Sequence, residues 1–271
     1  MKLKLWQVDA FANKPLEGNP AAVIPLDAWI DAGLMQKIAR ENNLSETAFF
    51  VATAPGRYDL KWFTPEAEIE LAGHPTLATA WTIFNCLASD LDTVSFTTRH
   101  SGELIVSRNA DGSITMSLPA SPSQPFEDSA GLGEAIGKAL VVEPPKEIFK
   151  SRYLMAVWDD PATIRSIRDC GDIARVLRGV GFWGAVVTAR GDEGYDFISR
   201  FFAPDRGVPE DPVTGSAHTI LTPFWAKRLS KKTLKARQVS ARGGDLTCTD
   251  EGARTVITGN CALYMTGEIT L

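Results

Sequence analysis

The chain has 271 residues, of which 44% are hydrophobic and 23% charged, and 28 Lys and Arg against 33 Asp and Glu leave a formal net charge of −5. That balance excludes the broad basic face of a general nucleic-acid binder and is too mild for a disordered polyanion. No run of about 18 apolar residues is present, so no membrane span is expected, and the length allows one large domain or two.

Met1–Asp9 alternates like a strand and lacks the apolar core of a signal peptide, which makes a cytoplasmic location the expectation. Asn, Pro and Gly cluster between Phe11 and Val23, which reads as a loop between two strands. Trp29, Ile30, Leu34, Met35 and Ile38 recur at helical spacing across Asp27–Asn42. Strands are expected from near Ser45 and over Tyr58–Phe63, followed by an acidic loop, Thr64–Leu71. Pro75 suits the first turn of a helix whose apolar face carries Leu77, Ala80, Trp81, Phe84 and Leu87. Val94–Leu118 reads as strand, turn, strand, with Asn109–Gly112 at the turn. Pro119–Asp128, rich in Pro and Ser, is the expected inter-domain linker.

A helix over Gly131–Leu140 opens the second half. A strand near Tyr153–Val157, a helix near Pro161–Leu177 and strands near Trp183–Thr188 and Tyr195–Phe202 follow. An acidic loop with Asp205, Glu210 and Asp211 leads to another helix, which Pro223 is expected to shorten or kink. Strands near Gln238, at Arg254–Thr258 and at Cys261–Leu271 close the chain. The basic run Lys227, Arg228, Lys231, Lys232, Lys235 and Arg237 reads as a solvated helix end and loop, or as an attractor for an anionic substrate. Cys86, Cys170, Cys248 and Cys261 match no zinc spacing and are read as buried, reduced thiols; with three histidines in all, no metal site is expected.

The chain says one thing twice. V-A-T-A-P-G from Val51, Tyr58-Asp59, Phe63-x-Pro65 and Gly73-His74 before an apolar stretch ending at Trp81 return as V-V-T-A-R-G from Val186, Tyr195-Asp196, Phe202-x-Pro204 and Gly215-Ser216 before a stretch ending at Trp225. Two domains follow, 1–120 and 121–271, with the C-terminal strand 261–271 a candidate to complete the first. A cleft between two similar halves is the expected ligand site, and each half sends a helix N-terminus toward it in this reading.

Four stretches resemble the phenazine-biosynthesis PhzF-like isomerase family: Val8-Asp9-Ala10-Phe11 with Gly18-Asn19-Pro20-Ala21; Asn43-Leu44-Ser45-Glu46-Thr47; Phe63-Thr64-Pro65 through Glu70-Leu71-Ala72-Gly73-His74-Pro75-Thr76; and Asp211-Pro212-Val213-Thr214-Gly215-Ser216-Ala217-His218. The resemblance implies an α+β fold of two pseudo-symmetric domains, each a mixed sheet curled around a central helix in the manner of diaminopimelate epimerase. It also implies a cofactor-free isomerase, commonly a homodimer, with its active site between the domains.

Glu46 matches the glutamate such enzymes use as general acid/base. Its neighbours Leu44, Ala48, Phe49 and Phe50 make a poorly hydrated setting, in which a carboxylic acid titrates closer to neutrality; the competing reading is a solvated carboxylate at a strand end. His74 and Asp211 complete the candidate catalytic set. Asp211 is read as orienting His74 or moving a proton, against the plainer role of starting a turn at Asp-Pro. Gly73, Gly215 and Ser216 are the candidate substrate-binding residues, with helix-start turns for the glycines and a helix cap for Ser216 as the structural alternatives. His218 is read as structural. The epimerases' paired thiols are replaced by Ala72 and Thr214, which cannot exchange protons at neutral pH, and counting along the repeat sets Gly181 or Phe182 opposite Glu46.

The expectation is therefore an isomerase acting on a small carboxylate-bearing substrate, with no cofactor, no metal, and neither nucleic acid nor membrane as partner. The alternatives are an epimerase or racemase with Asp211 or His74 as second base, and a binding or scaffold protein on the same fold without turnover.

Overall fold

The structure, a computed structural model, describes residues 1–127, 131–168 and 172–271, and divides into two units, Met1–Leu118 with Val256–Leu271, and Pro119–Thr255. The C-terminal stretch thus groups with the first half, and the second unit ends at Thr255 rather than at residue 271.

In unit 1, β1 (Lys2–Ala10) and β2 (Asn19–Leu26) form an antiparallel pair with Ala10 opposite Asn19. The loop is thus shorter than the sequence reading, ending before Asn19. Pro20 is tolerated in β2 because the next ladder, the parallel one to β3 (Glu46–Ala54), starts only at Ala21 opposite Glu46. The connecting helix α1 (Ala32–Asn42) starts later than Asp27 because Asp31 caps it, accepting the Leu34 N–H at 3.0 Å. β4 (Arg57–Phe63) returns antiparallel to β3, and β5 (Glu68–Ile69) is a short strand in the expected acidic loop.

The helix α2 (Gly73–Thr82) is buried on every residue but Trp81 and contacts β1, β2 and β3, while α1 packs its Met35 and Ile38 with Ile24, Phe49 and Phe63. A helix with no solvent face must satisfy its polar side chains internally. Thr76, Thr79 and Thr82 do so by donating to the carbonyls of Ala72, Pro75 and Ala78. A π-type turn, Ile83–Leu87, continues α2 and leaves Leu87 exposed rather than on the apolar face.

Three strands rather than two follow: β6 (Thr93–Thr98), parallel to β4, then β7 (Gly102–Arg108) and β8 (Ile114–Pro119). The extra turn is closed by the Thr98 hydroxyl, which accepts from Ser101 N–H and donates to the Gly102 carbonyl. The C-terminal strand Cys261–Thr270 lies antiparallel along β1.

Unit 2 repeats this order. The stretch read as a linker holds β9 (Gln124–Pro125), which pairs with β10 (Glu147–Lys150); its last residue, Asp128, lies outside the described residues. α3 (Leu132–Leu140) comes between them. β11 (Leu154–Trp158) is antiparallel to β10 and parallel to β12 (Ala185–Arg190). The single helix expected over Pro161–Leu177 is two, α4 (Pro161–Ser166) and α5 (Ile173–Gly179). At the end of α4 the carbonyls of Ile164 and Ile167 accept from the buried Arg200 guanidinium, which also meets Glu210 through both carboxylate oxygens.

β13 (Phe197–Ala203), β14 (Val208–Asp211), α6 (Gly215–Leu229), β15 (Thr233–Gln238) and β16 (Gly244–Asp250) match β4, β5, α2, β6 and β7, and β17 (Arg254–Gly259) leads back to unit 1. Pro223 does not shorten α6, which runs through it to Leu229. The basic run spans the end of α6 and β15, and three of its members are paired: Arg228 with Glu147, Lys231 with Asp196, Arg237 with Asp245. Of the cysteines, Cys248 is buried, Cys261 half-buried and Cys86 exposed, which corrects the reading for Cys86; Cys170 lies outside the described residues. Among the described residues no helix is long and apolar enough to cross a membrane.

Candidate active site

In unit 1 the first residue of β3 and the first turn of α2 meet. Glu46 Oε2 lies 3.0 Å from His74 Nε2, with side-chain exposures of 13% and 5%, so the carboxylate is sheltered but reachable and the imidazole is not. The other ring nitrogen, Nδ1, lies 3.1 Å from Nδ2 of Asn19, the fully buried first residue of β2. Glu46 and Asn19 are brought together by register: Asn19 stands two residues before Ala21, the partner of Glu46 in the parallel ladder. Gly73 is the first residue of α2. Its predecessor Ala72 is extended and makes no side-chain cap.

In unit 2, α6 opens at Gly215 after an extended Thr214 that likewise makes no side-chain cap. The Thr214 hydroxyl donates instead to Asp211 Oδ2 at 2.5 Å, while buried Gln238 accepts the Thr214 N–H and donates to the Asp211 carbonyl. Asp211 is thus the first member of a clamped turn. Ser216 is not a cap: it sits within the first turn, and its hydroxyl is 2.9 Å from that of Tyr153. Burial pushes the Tyr153 phenol up from its ordinary value, opposed by the Ser216 hydrogen bond.

His218 is structural, as expected. Fully buried, it gives its Nδ1 proton to the Thr214 carbonyl at 2.8 Å, and burial pushes its pKa down to about 4. Among the described residues, no group of three or more His, Cys, Asp or Glu side chains comes together as metal ligands would.

Phe63 pairs with Thr47, and Phe202 pairs with Ala185. The shared Phe-x-Pro motif therefore equates Thr47 with Ala185 and Glu46 with Gly184, not with Gly181 or Phe182. The distance from Tyr195 to Phe202 exceeds that from Tyr58 to Phe63 by two residues, which misleads a count along the chain. Gly184 is closely walled: a Cβ there would lie 3.0 Å from Phe201 and 3.2 Å from Tyr153.

The phenazine biosynthesis-like protein family, PhzC-PhzF, matches residues 8–267. The chain belongs to this family. It is 49% identical, over the full length of both chains, to an uncharacterized isomerase of Pseudomonas aeruginosa, PA2770. It is similar to the crystal structure of a PhzF-family phenazine biosynthesis protein from Enterococcus faecalis at TM-score 0.89 and 40% identity, covering 100% of each. A probable proline racemase from Agrobacterium radiobacter shares the fold at TM-score 0.67 and 10% identity, over 99% of this chain and 93% of that one. The α+β, epimerase-like reading of the fold therefore stands.

Three residues escaped the sequence reading. Asn19 stood within a quoted motif, and its position at the end of a Gly-containing loop was the signal. Tyr153 and Gln238 gave none, since each acts through a partner more than 20 residues away.

Proposed function

We propose that this chain is a cofactor-independent isomerase that moves a proton within a small carboxylate-bearing substrate, with Glu46 as the general acid/base. The observation that carries the reading is the Glu46–His74 pair at the open start of α2. An ionised Glu46 removes a proton from one substrate carbon and, as the carboxylic acid so formed, returns it to another, with His74 Nε2 beside Oε2 at 3.0 Å. The start of α2 at Gly73 is the proposed mount for the substrate carboxylate, and Gly215 and Ser216 are the corresponding proposed mount in unit 2. Asp211 is proposed to assist by holding the turn that presents them.

The family supports an isomerase, and the absence of a second carboxyl at Gly184 favours one acid/base group acting at two positions over a symmetric pair. The test is Glu46→Gln on a substrate found by screening small carboxylic acids for thermal stabilisation. Turnover and solvent-deuterium incorporation should both fall by about 10²–10⁴-fold, with the thermal shift by the acid retained. Near-normal turnover in this variant would sink the mechanism. A change in ultraviolet absorption marks a moved double bond, whereas deuterium at one stereocentre of an unchanged skeleton marks epimerisation.

A further inference from the structure

We infer that Asn19 is a positioning residue that sets the tautomer of His74 and so places the ring proton on the nitrogen nearest Glu46. An amide nitrogen only donates, so Nδ1 of His74, 3.1 Å from Asn19 Nδ2, accepts. A neutral imidazole then carries its proton on Nε2, the atom that faces Glu46 Oε2 at 3.0 Å. The reverse amide would put a proton on Nδ1 and leave either a lone pair against the carboxylate oxygen or an imidazolium. Asn19 is fully buried, so it acts through His74 and not by touching a substrate.

The backbone around Asn19 is built to hold it. Between β1 and β2 the loop passes through three left-handed positions, Phe11 (φ 59°), Leu16 (φ 76°) and Gly18 (φ 63°). Two of these are not glycine, a conformation that persists only where the surroundings enforce it. The enforcement is visible: buried Asp9 accepts the Leu16 N–H at 2.8 Å, and Ala12 N–H donates to the Asn260 carbonyl. A Cβ on Gly18 would stand 2.1 Å from the Ala10 carbonyl oxygen, so only glycine lets the chain turn directly into Asn19.

The strands packed against α2 bring further ionisable groups: Asp9 with Lys2 and Lys4 on β1, Glu46 on β3, Glu103 and Arg108 on β7, and Cys261, Tyr264 and Glu268 on the C-terminal strand. Asp9 is held by the Leu16 N–H, Lys2 by Glu268 and Arg108 by Asp92. Among these groups Glu46 brings a carboxylate oxygen to 3.0 Å from His74 Nε2.

The catalytic consequence rests on the proposed role of Glu46, but the tautomer does not. The chain has three histidines, so ¹⁵N-histidine labelling with a His74→Ser control assigns the ring nitrogens of the full-length protein. At neutral pH, His74 is expected to show a bare Nδ1 and a protonated Nε2. Asn19→Asp, the same shape with an anion, is expected to protonate Nδ1, and Asn19→Ala to release the preference. Asn19→Ala should lower kcat at least about tenfold with KM changed by less than about twofold. A protonated Nδ1 in the wild-type chain, or ring signals indifferent to residue 19, would overturn the inference; the wild-type spectrum decides even if a variant fails to fold. If Glu46→Gln keeps full turnover while the tautomer still follows residue 19, the proposed function fails and the positioning role stands.

Discussion

Both units run through the same order of strands and helices, and both central helices open on glycine without a side-chain cap. The second residue of each helix nevertheless finds a different partner. In unit 1 it is His74, meeting Glu46 from the strand beside it; in unit 2 it is Ser216, meeting the hydroxyl of Tyr153. The position of Glu46 is taken in unit 2 by Gly184, closed off by the rings of Phe201 and Tyr153. The fourth residue shows the same divergence on a shared device: Thr76 and His218 each donate to the carbonyl preceding their helix, at 2.6 and 2.8 Å. One scaffold therefore carries an ionisable pair in one copy and a pair of hydroxyls in the other, and the fold requires only that the helix start be tied down.

The comparison breaks most directly at turnover. Removing the ionisable oxygen by Glu46→Gln is expected to cost about 10²–10⁴-fold, on the order of 3–5 kcal/mol of barrier. The next effect is on stability and belongs to unit 2 alone, because Thr76 cannot titrate and His218 can. The folded chain holds His218 near a pKa of about 4, below the ordinary value of 6.5. As pH falls through 6.5 the unfolded chain takes the proton first, so the folded state loses stability until about pH 4, by on the order of 3 kcal/mol. Denaturant melts at pH 7 and pH 4 should show His218→Gln losing less stability than the wild type over that interval; equal losses would mean that His218 is not buried neutral.

Gly184→Ala sharpens the comparison next. Its Cβ would press on two buried rings at 3.0 and 3.2 Å, and overpacking of this kind costs about 1–3 kcal/mol. The substitution should lower the unfolding free energy by that amount, read as a lower denaturant midpoint at unchanged slope. A neutral effect would show that the wall beside Ser216 yields, and that position 184 carries no acid for some reason other than space.

The elements that were legible in the sequence are those written locally. Gly-His-Pro, Phe-x-Pro and Asp-Pro-Val-Thr-Gly mark turns whose chemistry lies within a few residues, and they located both helix starts. Glu46 and His74 were named from their motifs, although nothing local showed that residues 28 apart share a contact. Gly184 was missed because equivalence across the units is set by strand register, which absorbs the longer second hairpin. The interruption between α4 and α5 was missed because part of its cause, the Arg200 guanidinium taking the carbonyls at the end of α4, sits on another strand. Local pattern announces turns; long-range partners decide where helices stop and which side chain stands beside a sheltered carboxylate.

The smallest effect tests whether the hydroxyl pair is only structural. Tyr153→Phe deletes one hydrogen bond and leaves the ring in its edge-on packing with Trp183 at 5.0 Å and Phe201 at 4.8 Å, so no cavity forms. Ser216 is half-buried and can turn its hydroxyl to water. The expected cost is therefore that of one net hydrogen bond, about 1 kcal/mol in a denaturant melt. Burial raises the phenol from a value of 10.0 that is already alkaline, so Tyr153 stays neutral and the cost should be the same at pH 6 and pH 8. Turnover measured on the same variant completes the contrast. A loss under tenfold leaves proton transfer to unit 1, because a hydroxyl pair that only ties down the start of α6 has no further part to play. A loss approaching that of Glu46→Gln would make the Tyr153 hydroxyl a second proton carrier, and the chemical difference between the two units would then be one of acid strength and not of presence against absence.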